Sequence, residues 1–131
     1  MKKALFALAL ALPGMANAGV LSGTFQTAPG DSGNFLHVEI GPCSSNASLT
    51  CGTIVRKYNA DGSLDSAYEN LGKPIIWDMV DQGNGRWGKG KIWAPDRDKT
   101  YNSKMTLNGN LLKVEGCVMI FCRSQTWQML P

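Results

Sequence analysis

The chain has 131 residues, of which 44% are apolar, and its 13 Lys and Arg against 10 Asp and Glu give a formal net charge of +3. Two of the lysines, Lys2 and Lys3, belong to a leader with the form of an export signal, so the remainder carries 11 basic residues against 10 acidic ones and sits near +1. That balance excludes the basic footprint of a nucleic-acid binder and any strong electrostatic hold on an anionic membrane, and the length suits one domain with a modest core.

The leader reads MKKALFALALALPGMANA: two lysines, an apolar run from Ala4 to Leu12, a Pro-Gly break, and Ala16, Asn17 and Ala18 as a small-x-small cleavage site. It predicts a signal peptide over residues 1–18, removed after Ala18, and a periplasmic or secreted product. The alternative is a membrane anchor, for which the apolar run is short. The residue directly after the cut is Gly19 and not a cysteine, so a lipid anchor is not expected, and residues 19–131, with no second long apolar run, are expected to form a single domain without an integral membrane segment.

Gly19 to Thr27 reads as a first strand, followed by the turn TAPGDSGN. Phe35 to Ile40 alternates, with Leu36, Val38 and Ile40 on one face and Phe35, His37 and Glu39 on the other. A cysteine-bounded loop, in which Asn46, Ala47 and Ser48 form an incidental glycosylation sequon, leads to a third strand over Gly52 to Tyr58. Asn59 to Gly72 is polar and acidic, and predicts a long loop or a single helical turn. Further strands follow over Lys73 to Val80, Arg86 to Trp93, Lys99 to Leu107, Leu111 to Cys117 and Ser124 to Leu130.

Between the sixth and seventh of these, Asn108 and Gly109 suit a two-residue hairpin turn. Closure there sets Leu107 opposite Asn110, Met105 opposite Leu112, Ser103 opposite Val114 and Tyr101 near Gly116, a mostly apolar face. Thr106, Lys104 and Asn102 meet Leu111, Lys113 and Glu115 on the other. Eight short strands joined by tight turns predict an all-β, antiparallel, up-and-down barrel, with a β-sandwich as the alternative.

Export makes disulfides the default for Cys43, Cys51, Cys117 and Cys122. Of the three connectivities, Cys43 to Cys51 and Cys117 to Cys122 are favoured because each pair brackets one short segment. A four-cysteine zinc site is the rival, but the first pair lacks its short ligand spacing.

The segments GKPIIWDM, WGKGKIWAPDRDKTY, LKVEGCV and CRSQTW, with PCSSNASLTCGTIV and GCVMIFCRSQTW around the cysteines, resemble in order the uncharacterised bacterial family known as domain of unknown function 2147. The resemblance covers nearly all of residues 19–131. It implies a small exported protein with a lipocalin-like barrel and no established biochemical activity. Two features depart from the family pattern: Gly23, Thr24 and Phe25 stand where a Gly-x-Trp strand is usual, and Asp61 to Lys73 lacks the proline-rich connection. In lipocalins an arginine of the last strand covers the first-strand Trp, a role the resemblance offers to Arg123 over Phe25.

The residues themselves suggest two binding surfaces. Val38, Ile54, Tyr58, Trp77, Tyr101, Met105, Leu112, Val114 and Trp127 fall on plausible inward faces and are the candidate lining for a small apolar or amphipathic ligand; the alternative is that they fill a dry core. Trp87, Lys89, Lys91 and Trp93 share one face of a strand in simple alternation, and are the candidates for docking on an envelope protein or glycan. His37 lacks partners for a metal site or a triad and reads as a strand residue at the surface. Asp78 alternates with Ile76 and Val80, and on a buried face requires Arg56 or Arg86. Asp96, Arg97 and Asp98 read as a turn. No phosphate loop, HExxH, Gly-x-Ser-x-Gly or CxxC motif is present, so no catalytic residue, metal ligand or cofactor is assigned, and an unrecognised hydrolase is the third reading after ligand carrier and interaction module.

Overall fold

Apolar and polar side chains alternate through eight stretches, and each stretch is a strand: β1 (Gly23–Gln26), β2 (Phe35–Pro42), β3 (Thr50–Tyr58), β4 (Pro74–Gly83), β5 (Arg86–Ala94), β6 (Lys99–Asn108), β7 (Leu111–Val118) and β8 (Phe121–Met129). The structure is a computed structural model that describes residues 19–131; the leader, Met1 to Ala18, lies outside the described residues. Each strand pairs antiparallel with the next, and β1 also pairs with β8 through Phe25 and Met129, so the sheet closes into a barrel. Closure leaves neither edge open, which is why the sandwich alternative falls. Asn59 to Gly72 is a looped segment held by turns, without a helix.

Phe25, Val38, Ile54, Ile76, Met79, Met105 and Leu112 are fully buried and fill one end of the barrel. Burying side chains of this size stabilises by about 1.5–3 kcal/mol each. Residues before β1 plug that end: Leu21 is buried with its N–H donating to Thr50 Oγ1 at 3.2 Å, and Trp87 Nε1 donates to the Gly19 carbonyl at 3.3 Å.

Bulges set which side chains face inward. β2 and β3 shift register between His37 and Val38, where Val55 is the extra residue, so Ile54 points in with Val38 while Lys57, opposite Leu36, takes the next inward place. β5 bulges between Trp87 and Gly90, with Lys89 at φ 61. Trp87 therefore pairs with Met105 and Gly90 with Ser103, both on the inner face. Gly90 is required there, because a Cβ would stand 2.6 Å from Met79 Sδ and from the Trp77 carbonyl. Asp78, at φ 58, accompanies this irregularity on the neighbouring strand.

The β6–β7 hairpin keeps its expected faces but not its expected register. Gly109 and Asn110 form the turn, Asn108 pairs with Leu111, Met105 with Val114 and Ser103 with Gly116. Gly109 has φ 63 at the first central position, where a type II′ turn calls for glycine. In this register Lys104 meets Glu115 instead of Lys113, so opposite charges replace like ones.

Two disulfides, Cys43–Cys51 and Cys117–Cys122, join the neighbours that the short spacings favoured. The first ties the β2–β3 loop at the plugged end, and the second spans β7 and β8 at the other.

Candidate functional site

Above Val114 and Trp127 the packing stops and the barrel opens into a cup of about 1000 Å³. That is at the top of the usual range for small-molecule pockets, about 300–1000 Å³. Val114 and Trp127 are buried and form its floor; Leu36, Ile92, Tyr101 and Gly116 line its wall. The β1–β2, β3–β4 and β5–β6 connections and the β7–β8 turn form the rim, contributing Pro29, Tyr68, Asn70, Arg97 and Val118 among others, with Trp93 at the end of β5. A shallower depression of about 550 Å³ lies between β1, β2 and β3, with Glu39 as its charged group.

Gly116 explains much of the empty space. It faces inward beside Ile92 and Tyr101, and a Cβ built there would be 3.4 Å from Ile92 Cγ2, an ordinary contact. A larger side chain would continue into the cup.

The polar groups of the wall differ in how far they are engaged. Lys57 Nζ donates to Asn59 Oδ1 at 2.9 Å and to Asp65 Oδ2 at 3.0 Å, and lies 5.4 Å from the centre of the Tyr68 ring. The hydrogen bond from Lys57 holds the Asp65 carboxyl below its ordinary range, and the two side chains satisfy each other. Lys73 Nζ donates to Asn70 Oδ1 at 2.9 Å, and Trp127 Nε1 to Gln125 Oε1 at 2.6 Å. Arg123 also lines the cup, and among the described residues it makes no ion pair.

Of the expected lining residues, Tyr101, Val114 and Trp127 reach the cup. Val38, Ile54, Met105 and Leu112 face inward but are packed beneath it. Tyr58 and Trp77 are corrections. The Val55 bulge turns Tyr58 outward, where its ring stacks on Phe35 at 5.1 Å and meets His37 at 4.7 Å. Trp77 pairs with Lys91 on the outer face.

The Trp87 to Trp93 face is also corrected. The bulge at Gly88 and Lys89 breaks its alternation, burying Trp87 while Lys89 and Lys91 stay exposed and Trp93 sits half-buried at the rim. Trp93 Nε1 donates to Asp98 Oδ1 at 2.9 Å, and Lys73 Nζ lies 5.9 Å from its ring centre.

Arg123 does not cover Phe25. It pairs with Gly116 near the open end of β8, whereas Phe25 meets Met129 at the other end of that strand. Asp78 is exposed, with no ion pair among the described residues, instead of buried against Arg56 or Arg86. It lies near Cys43 and Cys51, but their sulfurs are joined to each other and offer no thiolate to a metal.

His37 lies on the outer wall. Arg56 Nε, which can only donate, donates to His37 Nδ1 at 3.1 Å, so His37 Nε2 carries the proton and donates to Gln26 Oε1 at 3.0 Å. Partial burial, with the neighbouring Arg56 charge, lowers the pKa of this histidine.

Several cup residues lie outside the candidate lining: Leu36, Lys57, Tyr68, Ile92, Gly116, Gln125, and Arg123 as a lining group. In β8 the signal was present, because Arg123 and Gln125 alternate with Trp127; the strand begins at Phe121, before the expected Ser124.

Residues 23–129 match the family described as "Uncharacterized protein conserved in bacteria (DUF2147)". No curated protein matches the chain. Among solved structures, a similar chain is protein HP1028 from the human pathogen Helicobacter pylori, described as belonging to the lipocalin family. The two are 18% identical over 85% of this chain and 83% of that one, with a TM-score of 0.64. That likeness is one of fold.

Proposed function

The chain belongs to the DUF2147 family of bacterial proteins, and we propose that it is an exported binding protein, cleaved after Ala18, that holds one small amphipathic molecule in the cup of its barrel. The cup above Val114 and Trp127 is the observation that carries this reading. An apolar floor and wall suit a hydrocarbon or aryl tail. Near the mouth, Lys57 is committed to Asp65, while Arg97 and Arg123 make no ion pair among the described residues; Arg97 stands between Asp96 and Asp98 in the chain, so Arg123 is the cation without a carboxylate beside it in sequence. The ligand class that fits is therefore a tail with an acidic head, seated tail down, with its head beside Arg123.

A binding role is favoured over hydrolysis because the chain's one histidine is on the outer wall with both nitrogens engaged, away from the cup. Two disulfides suit a product that works in an oxidising compartment.

The test is a fluorescence titration with straight-chain fatty acids and the matching alcohols. Saturable binding is expected, tighter for the acids. Gly116→Leu, which fills the wall, weakens it at least about tenfold while shifting stability by no more than about 1–3 kcal/mol. Absence of saturable binding, or a Gly116→Leu protein that binds as well as the parent, would refute the cup as a ligand site.

A further inference from the structure

The turn between β7 and β8 is unlike the barrel's other tight turns. At Asn84-Gly85 and Gly109-Asn110 the chain reverses on polar residues and glycine, the ordinary composition of an exposed turn. Between β7 and β8 it reverses on Val118, Met119, Ile120 and Phe121, which are 56%, 89%, 87% and 75% exposed. Four consecutive apolar side chains held out in water mark an interaction site.

This tip is built to be rigid. Val118 pairs with Phe121, and one step below them Cys117 pairs with Cys122 through a disulfide. It is also continuous with the cup, because Val118 and Phe121 both line the mouth. Arg123 follows Phe121 on the same face of β8, about 7 Å further from the tip at the usual rise per strand residue. An apolar end with a guanidinium that far behind it matches the boundary between acyl chains and phosphates, which interfacial side chains penetrate by about 5–10 Å.

From this geometry we infer that the β7–β8 tip is a membrane-docking wedge. Met119, Ile120 and Phe121 enter the acyl region of a phospholipid bilayer, Arg123 meets the phosphates, and the mouth of the cup is set against the lipid surface. Asp31, Glu69 and Asp96 on the same mouth balance Lys57, Arg97 and Arg123, so the mouth has no net charge to draw it to anionic lipid and insertion of apolar area is the driving force. The docking goes beyond the ligand-binding reading and stands on the tip and on Arg123 behind it, whether or not the cup holds a ligand.

The experiment is flotation of the bacterially exported, disulfide-bonded protein with vesicles of phosphatidylethanolamine and phosphatidylglycerol. The parent floats with the vesicles, and 0.5 M salt changes the partition less than about threefold. Ile120→Asp lowers it at least about tenfold, since one buried Ile side chain is lost. An Ile120→Trp protein, probing the same exposed position, shows a blue shift and quenching by brominated lipid. Gly116→Leu still floats, which separates failure of the cup from failure of the wedge. A parent that does not float, an Ile120→Asp protein that floats equally well, or a dimer in vesicle-free buffer that Ile120→Asp dissolves without any vesicle binding would overturn the inference.

Discussion

The plugged end and the open end of this barrel share the same strands, yet one is solid and the other hollow. At the plugged end the inward positions carry Phe25, Ile40, Ile54, Ile76, Met79, Met105 and Leu112, and Leu21 and Trp87 complete the seal. At the open end they carry Leu36, Ile92 and Tyr101 beside Gly116, Lys57, Gln125 and Arg123. Eight strands make an interior just wide enough for side chains to fill or for one small ligand to occupy. The choice between those outcomes is made by side-chain volume and by the plug, residue by residue, within one sheet. Each end has its own disulfide, but Cys43 at the plugged end is buried and Cys122 at the open end is exposed.

The largest expected effect tests that contrast directly. Leu112→Ala removes a fully buried side chain from the solid end and lowers unfolding free energy by about 2–5 kcal/mol. Tyr101→Ala, at the wall of the hollow end, costs about 1 kcal/mol or less. Urea unfolding of both variants measures the difference. Equal losses would mean that the open end is packed as tightly as the plugged one. Next come the bridges, whose partners are separated by 8 and 5 residues. Removing Cys43–Cys51 by paired alanines is expected to cost about 2.5 kcal/mol and removing Cys117–Cys122 about 2 kcal/mol on loop entropy alone. The second pair should also raise amide hydrogen exchange at Val118 to Phe121 while leaving Leu112 protected.

Much of this contrast is legible in the sequence, and the parts that are not share a cause. Alternation locates all eight strands, and short cysteine spacing identifies the bridges. Alternation also carries a phase along a strand, and one bulge reverses it. The sequence before Tyr58 gives no sign that Val55 is an extra residue, so Tyr58 reads as inward when it faces out. Gly88 and Lys89 do the same to Trp87, which reads as surface and is core. The hairpin register departs from expectation for another reason: Asn108 and Gly109 form a good turn pair, but Gly109 with Asn110 also satisfies the turn and brings Lys104 to Glu115. The cup itself was hidden because emptiness depends on which inward residues share a level of the barrel, and level follows from register. Gly116 beside Ile92 and Tyr101 becomes visible as missing volume only once β5, β6 and β7 are aligned.

The smallest expected effect lies outside the barrel wall, where it should leave both ends unchanged. His37 is neutral in the folded protein because Nδ1 accepts from Arg56, and its pKa is lowered by burial and by that charge. The unfolded chain thus takes up a proton on this residue at a higher pH than the folded chain does. The stabilisation is complete above the unfolded value near 6.5 and is lost as pH falls from there through the lowered folded value. Because the ring is only partly buried, solvent screening limits the loss to a few tenths of a kcal/mol. Asp65, also lowered, loses its contribution only below its ordinary value of 3.8, so urea midpoints at pH 7.5 and pH 5 isolate the histidine. His37→Gln should flatten the slope between those two values, and Leu112→Ala should keep it at a lower overall stability. A slope that survives His37→Gln would place the titration elsewhere and remove Arg56 as the donor that keeps this imidazole neutral.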